Sequence, residues 1–194
     1  EGGFVTLTAS RSWSEFRFAD PDREGVALLT NTSTEASAPV RLEGEHRLTP
    51  RLDAGWGVGV SRESITADVF QRATPATSFD TDLEYTDALA WWQTFAYGQL
   101  TARSAGEAIT ATLGVRVDDS RALDEGRAFS PRLSARWRVA DEWSLSGAVG
   151  LFHQTPAPVT LAVREGGERV NAGLRPIRVR QLVAGAAWQP SDGV

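Results

Sequence analysis

Apolar and polar residues alternate with a period of two along most of the chain, the signature of strands with one oily face and one polar face. In 4–18, Val5, Leu7, Ala9 and Trp13 share one parity while Thr6, Thr8, Ser10, Ser12 and Ser14 share the other. In 39–48, Val40, Leu42, His46 and Leu48 alternate with Arg41, Glu43, Glu45 and Arg47. In 51–70, Leu52, Ala54, Trp56, Val58 and Val60 alternate with Asp53 and three glycines, and the apolar parity then switches to Ile65, Ala67 and Val69. Such a switch predicts either a β-bulge or an exit from an apolar band. The run 88–102 alternates more weakly, and 108–118 sets Ile109, Ala111, Leu113, Val115 and Val117 against Thr110, Thr112, Gly114, Arg116 and Asp118. Three further runs lie at 129–140, 143–154 and 177–189. No helical period competes, so the pattern predicts about eight strands.

The predicted connections alternate in length. Thr49-Pro50, Arg103–Glu107 and Ala140–Glu142 are short, whereas 19–38, 71–87, 119–128 and 155–176 read as long polar loops. Outer-membrane barrels have this asymmetry, with short turns at one edge and long loops at the other. Trp56, Trp137, Trp143 and Trp188 fall near the short-turn ends of their runs, as an interfacial girdle would. The polar parity carries Arg41, Glu43, Glu45, Arg47, Arg116, Arg132, Arg136 and Arg138, more charge than the filled interior of an eight-stranded barrel accommodates. The expected fold is therefore all-β: an antiparallel up-and-down transmembrane β-barrel, with about eight strands of a larger barrel as a single unit over 1–194. Two alternatives are a complete small barrel with a structural or adhesive role and a soluble β-sandwich binding module. Pairing of 4–18 with 177–189 would favour the complete barrel.

Composition narrows the function. Apolar residues make up 41% and mean hydropathy is -0.26, and no stretch approaches the ~18 consecutive apolar residues of a spanning helix. A spanning strand needs only ~9–11 residues, every second one free to be polar. Cys is 0, which removes disulfides, thiolate metal sites and Cys nucleophiles. The net charge of -5, with no basic block, argues against nucleic acid as a partner. His46 and His153 stand on separate strands and supply no metal or triad spacing. The segment DPDREG opens like a Ca²⁺ loop, but Pro21 interrupts it and Asn31 occupies the position of the bidentate Glu. The segment EGGE lacks the Lys and helix of a phosphate cradle. These readings predict no cofactor, no metal site and no enzymatic activity, an outer-membrane hydrolase being the weaker alternative.

The stretch GLFHQTPAPVTL followed by NAGLRPIRVRQLVAG resembles the barrels of TonB-dependent outer-membrane receptors, through Gln154, Pro156, Asn171, Leu174, Pro176, Arg178 and Gly185. Ile177 departs from the pattern, which usually has Glu there. The resemblance is close over about 145–188 and elsewhere rests on the barrel pattern. It implies a 22-stranded barrel with an N-terminal plug, of which this chain is a segment that starts and finishes on the periplasmic side and carries neither plug nor TonB box. It further implies the outer membrane of a Gram-negative bacterium, uptake of a siderophore or another large nutrient, and coupling to the TonB complex through the absent plug.

Two loops hold the candidate ligand contacts. The acidic, aromatic segment FDTDLEYTD offers Asp80, Asp82, Glu84 and Tyr85 to a cationic or metal-chelate small molecule, or to lipopolysaccharide through divalent ions; a solvated acidic loop is the simpler alternative. The loop 155–176 offers Arg164, Glu165, Arg169 and Asn171. The resemblance implies that such loops line the ligand vestibule. The remaining expected partner is outer-membrane lipid around the wall.

Overall fold

The computed structural model describes residues 2–22, 24–74, 82–165 and 168–190, with backbone alone at Leu83, Tyr85 and Glu165. Its elements are β1 (Gly3–Ala9), β2 (Ser12–Pro21), β3 (Ala27–Thr49), β4 (Leu52–Gln71), β5 (Leu83–Arg103), β6 (Ile109–Ser120), β7 (Arg127–Arg138), β8 (Trp143–Gln154), α1 (Pro158–Ala162), the short pair β9 (Arg164–Glu165) and β10 (Glu168–Arg169), and β11 (Ile177–Trp188). All but β9 and β10 form one antiparallel sheet in the order β1-β3-β4-β5-β6-β7-β8-β11, with β2 continuing β1 along the same edge of β3. This is an up-and-down wall of eight ribbons, as the alternation predicts. It is an open arc: β1 and β2 form one edge, β11 forms the other, and they do not pair.

Cross-strand partners share a face, so the register sorts every side chain. On the outward face lie Leu7, Leu42, Val58 and Ala96 in one row, and Leu100, Leu113, Leu133 and Val149 in another. These are exposed where a soluble protein would bury them: Leu7 is 69% exposed, Leu113 57% and Leu182 83%. On β6 the outward apolar run from Ile109 to Val117 covers about nine residues, enough for a tilted strand to cross hydrocarbon. The inward face carries Glu43, Gly57, Tyr97, Arg116 and Ser130, again in one row, with Arg41 in the next.

The parity switch in β4 marks a boundary and not a bulge. Its register to β3 and to β5 runs unbroken through Val60, Ser61 and Arg62. Below the switch the outward positions Ala54, Trp56, Val58 and Val60 are apolar. Above it they become Arg62, Ser64, Thr66 and Asp68, and the inward positions Ile65, Ala67 and Val69 turn apolar instead. The oily face has moved from the outward side to the concave side. There Ile65, Ala67, Val69 and Trp91 bury against Ala122, Leu123, Leu161 and Ala162, with Leu29, Leu89 and Val159 at the margin. Pro at the start of α1 is tolerated because its missing N–H has no helical partner anyway.

Two sequence expectations change. The segment 19–38 is mostly strand, since β2 reaches Pro21 and β3 begins at Ala27. Only a tight turn remains, in which Asp22 Oδ1 accepts the backbone N–H of Glu24 (2.9 Å) and Val26 (2.8 Å) and Gly25 adopts φ 82°. The segment 71–87 shortens likewise, because β5 begins at Leu83. Strands β3, β4 and β5 run to 23, 20 and 21 residues, against 12 in β6, β7, β8 and β11. Their upper halves lie beyond the outward apolar band: the outward face of β4 turns polar there, and its apolar parity moves to the concave side. The tryptophans also divide. Trp137, Trp143 and Trp188 mark the turn edge, Trp143 and Trp188 stacking at 6.2 Å, whereas the outward Trp13 and Trp92 lie at the upper limit of the apolar band.

Candidate functional site

The inward face below the apolar core carries a ladder of polar and aromatic groups that crosses five strands. Arg41 faces Glu43 at 3.4 Å, and the Tyr97 hydroxyl donates to Glu43 Oε1 at 3.0 Å. Tyr97 stacks on Phe95 with centroids 6.4 Å apart and planes 12° apart. Gly57 and Gly59 lie opposite them and leave room for the rings; a Cβ at either would meet ring carbons at under 3.0 Å. The Arg116 guanidinium lies 4.2 Å from the Phe95 centroid and grips Asp118 in a fork, Nη2 to Oδ1 at 2.7 Å and Nε to Oδ2 at 2.9 Å. Arg132 donates to Gln99 Oε1 at 2.9 Å. These side chains are linked to one another by hydrogen bonds, ion pairs and ring contacts along the concave face.

Above the ladder is a cleft of about 480 Å³ lined by Gln93, Arg116, Asp118, Ser130, Arg132 and His153, among others. It opens where the β7–β8 ladder stops at Arg132 and Gly150, just short of Pro131, which has no N–H to donate. His153 Nδ1 pairs with Ser130 Oγ across that gap at 3.0 Å. Ser120, 2% exposed, turns a hydroxyl without a partner toward the same space. The cleft therefore offers cations, hydroxyls and amides beside an aromatic platform, a set suited to a large polar ligand. No group of three His, Asp or Glu side chains assembles to hold a metal ion among the described residues.

The residues expected to touch ligand fall elsewhere. Asp80 lies outside the described residues, as do the side chains of Tyr85 and Glu165. Asp82 closes its own loop by accepting the Ala73 N–H at 2.8 Å, and Glu84 is exposed opposite Phe70. In the loop 155–176, Arg164 contacts Asp87 on β5, Arg169 donates to Ala122 O at 2.8 Å, and Asn171 Nδ2 donates to Thr160 O at 2.8 Å. Those three fasten the loop and its α1 across the concave mouth. Phe95, Tyr97 and Gln93 escaped sequence reasoning as site residues. Their signal was the weak alternation of 88–102: aromatics that share a parity with Gln93 and Gln99 face a lumen and not lipid.

The family profile described as TonB dependent receptor-like, beta-barrel matches residues 4–194. Among solved structures, the chain superposes on a chain of the FpvAI–pyocin S2 complex with TM-score 0.66 at 14% identity, covering 98% of this chain and 28% of that one. It superposes on the copper transporter OprC with TM-score 0.59 at 17% identity, covering 97% of this chain and 33% of the other. The chain thus spans a third or less of the length of either, and at these identities the likeness speaks for the fold. Comparison with curated proteins finds no match. The local anchors of the resemblance have structural roles: Asn171 ties the loop to α1, Leu174 N–H closes a turn on Asn171 O at 3.2 Å, and Pro176 precedes β11. With its profile matched over nearly the whole length and its strands laid out as a lipid-facing wall, the chain belongs to the TonB-dependent receptor family, of whose β-barrel it is a part.

Proposed function

We propose that these residues form about eight strands of the wall of a larger outer-membrane barrel that takes up a scarce nutrient, a siderophore or another large polar compound. Energy comes from the TonB complex, acting through a plug domain outside these residues. The observation that carries this reading is the ladder Glu43–Tyr97–Phe95–Arg116–Asp118, which leads from the cleft down the concave face while the convex face stays apolar. A ligand that enters at the loop edge meets the cleft first. Arg132 and His153 orient its anionic or carbonyl groups, and Phe152 takes its flat apolar parts. The external loops contribute Asp80, Asp82, Glu84, Tyr85 and Glu165 as further ligand contacts. Arg164, Arg169 and Asn171 hold α1 in place there.

The test is uptake by the full-length receptor. A panel of ferric siderophores, cobalamin and complex glycans is offered to cells with and without the gene, in TonB-competent and TonB-deleted backgrounds. Uptake of one member should require both genes, and Arg116→Ala with Arg132→Ala should lower its affinity at least tenfold while the receptor still reaches the outer membrane. Gene- and TonB-independent uptake of the whole panel would overturn the reading.

A further inference from the structure

The shape and lining of the cleft above the ladder select among large polar ligands. Gln93 and Ser120 are cross-strand partners on the inward face and line its upper end. The Ser120 hydroxyl is buried and has no hydrogen-bond partner among the described residues, so it suits an oxygen of a bound ligand. Arg132, opposite Gly114, lines the lower end. Its guanidinium holds the Gln99 amide oxygen at 2.9 Å and has no carboxylate partner among the described residues. Ser120 and Gly114 stand six positions apart on β6, about 20 Å of strand. The reach of the arginine stem shortens that span, yet the site stays elongated. Between its ends the lining is mostly neutral. Ser130, Gln154 and Thr155 bring hydroxyl and amide groups that both donate and accept. The fixed charges are two guanidiniums against one carboxylate, Asp118, which Arg116 already grips. Phe152 lies against Gly150, where a Cβ would meet its ring at 2.8 Å, and adds a flat apolar wall.

We infer that the cleft takes an elongated acidic oligosaccharide, with Ser120 and Gln93 receiving its ring hydroxyls at the upper end and Arg132 its carboxylate at the lower. Sugar hydroxyls donate and accept at once, as the lining groups do, so each side satisfies the other. The negative face of the Phe152 ring suits the polarised C–H face of a sugar ring. A guanidinium fork matches a carboxylate through two parallel hydrogen bonds. A ferric catecholate fits the cleft poorly. It is compact where the site is long, and it brings several negative charges to a lining with one guanidinium free of a carboxylate. The inference rests on the receptor reading above and narrows its large polar compound to one class.

The experiment measures binding to the full-length receptor in neutral detergent by titration calorimetry. The probes are a xylo-oligosaccharide ending in glucuronic acid, the methyl ester of that acid, and a ferric tris-catecholate. The acid should bind, and its ester about tenfold more weakly, for the loss of a charge-assisted contact. Arg132→Gln should abolish that difference and Arg132→Lys should keep most of it. Arg136→Gln, the same charge change lower on the inward face, should leave it intact. Ser120→Ala should weaken acid and ester alike, by about fivefold for one hydrogen bond. Full discrimination by Arg132→Gln, unaltered binding by Ser120→Ala, no saccharide binding at all, or tighter binding of the ferric chelate than of either saccharide would overturn the inference. If Arg132→Gln does not fold, the acid-to-ester ratio of the unaltered receptor and the Ser120→Ala titration decide. Uptake is followed in the same strains. TonB-dependent uptake of a ferric chelate without saccharide binding would leave the receptor reading standing and refute this one.

Discussion

Leu161 is the fastening point of the loop that crosses the concave mouth. It is 1% exposed and buries its side chain among the residues of the inward apolar core, Ile65, Ala67, Val69 and Trp91. The other ties are Arg169 to Ala122 O, Asn171 to Thr160 O and the Arg164–Asp87 contact; a typical hydrogen bond among them contributes about 1 kcal/mol net. Leu161→Ala removes the transfer free energy of three buried carbons and leaves a cavity against a wall that cannot collapse, a loss of about 3 kcal/mol. Almost all of it falls on the docked state of the loop, because α1 packs chiefly against β4 and β5 and the loop residues Ala122 and Leu123. The docked-to-open equilibrium should therefore shift by about a hundredfold, at ~1.4 kcal/mol per tenfold. Amide hydrogen exchange reads this directly: Leu161, Val170 and Leu174 N–H groups, all bonded within the loop, should exchange about a hundred times faster. Strands β6 to β8 should not change. Unaltered exchange in the loop, or acceleration spread evenly over the sheet, would refute the assignment of Leu161 as a local fastener.

Two further substitutions probe the two faces. Leu113→Arg places a cation at mid-band on the outward face and should lower folding stability in liposomes by about 2–4 kcal/mol, while Ser134→Arg on the inward face should cost less than about 1 kcal/mol; denaturant titrations of the two variants decide. Gly57→Val forces the Tyr97 ring aside, since a Cβ there meets it at under 3.0 Å. It should cost about 1–3 kcal/mol and weaken the near-ultraviolet signal of the Phe95–Tyr97 stack, with retained signal and stability counting against the packing described.

The strands most legible in the sequence are those that separate two different solvents. In β6 to β8 and β11 lipid lies on one side and a polar lumen on the other, so Leu113 against Gly114 or Leu133 against Arg132 reads as a strand at once. The upper half of β3 does not, because both of its parities are polar: Thr30, Thr32 and Thr34 lie on the outward side, and Asn31, Ser33 and Glu35 lie on the concave side beside Val69, Ala67 and Ile65 of β4. Strand β5 blurs for another reason. Phe95 and Tyr97 point inward over Gly59 and Gly57, and that placement depends on a partner strand some 40 residues away. The Arg116–Asp118 fork was within reach, since residues two apart on a strand share a face. Arg164 and Arg169 looked like ligand contacts because their acceptors, Asp87 and Ala122 O, come close only through the tertiary fold.

Residues 1–194 contain no Cys, which makes the sidedness of the wall directly measurable. Single cysteines are placed along β6 at 109 to 118 in a full-length receptor from which any cysteine outside these residues has been removed, and exposed, in intact outer membranes, to a small water-soluble maleimide. Labelling should alternate: Thr110, Thr112, Gly114, Arg116 and Asp118 positions modified, and Ile109, Ala111, Leu113, Val115 and Val117 positions protected by lipid. Uniform labelling along the strand, or the opposite parity, would contradict the lipid-facing wall on which the whole account stands.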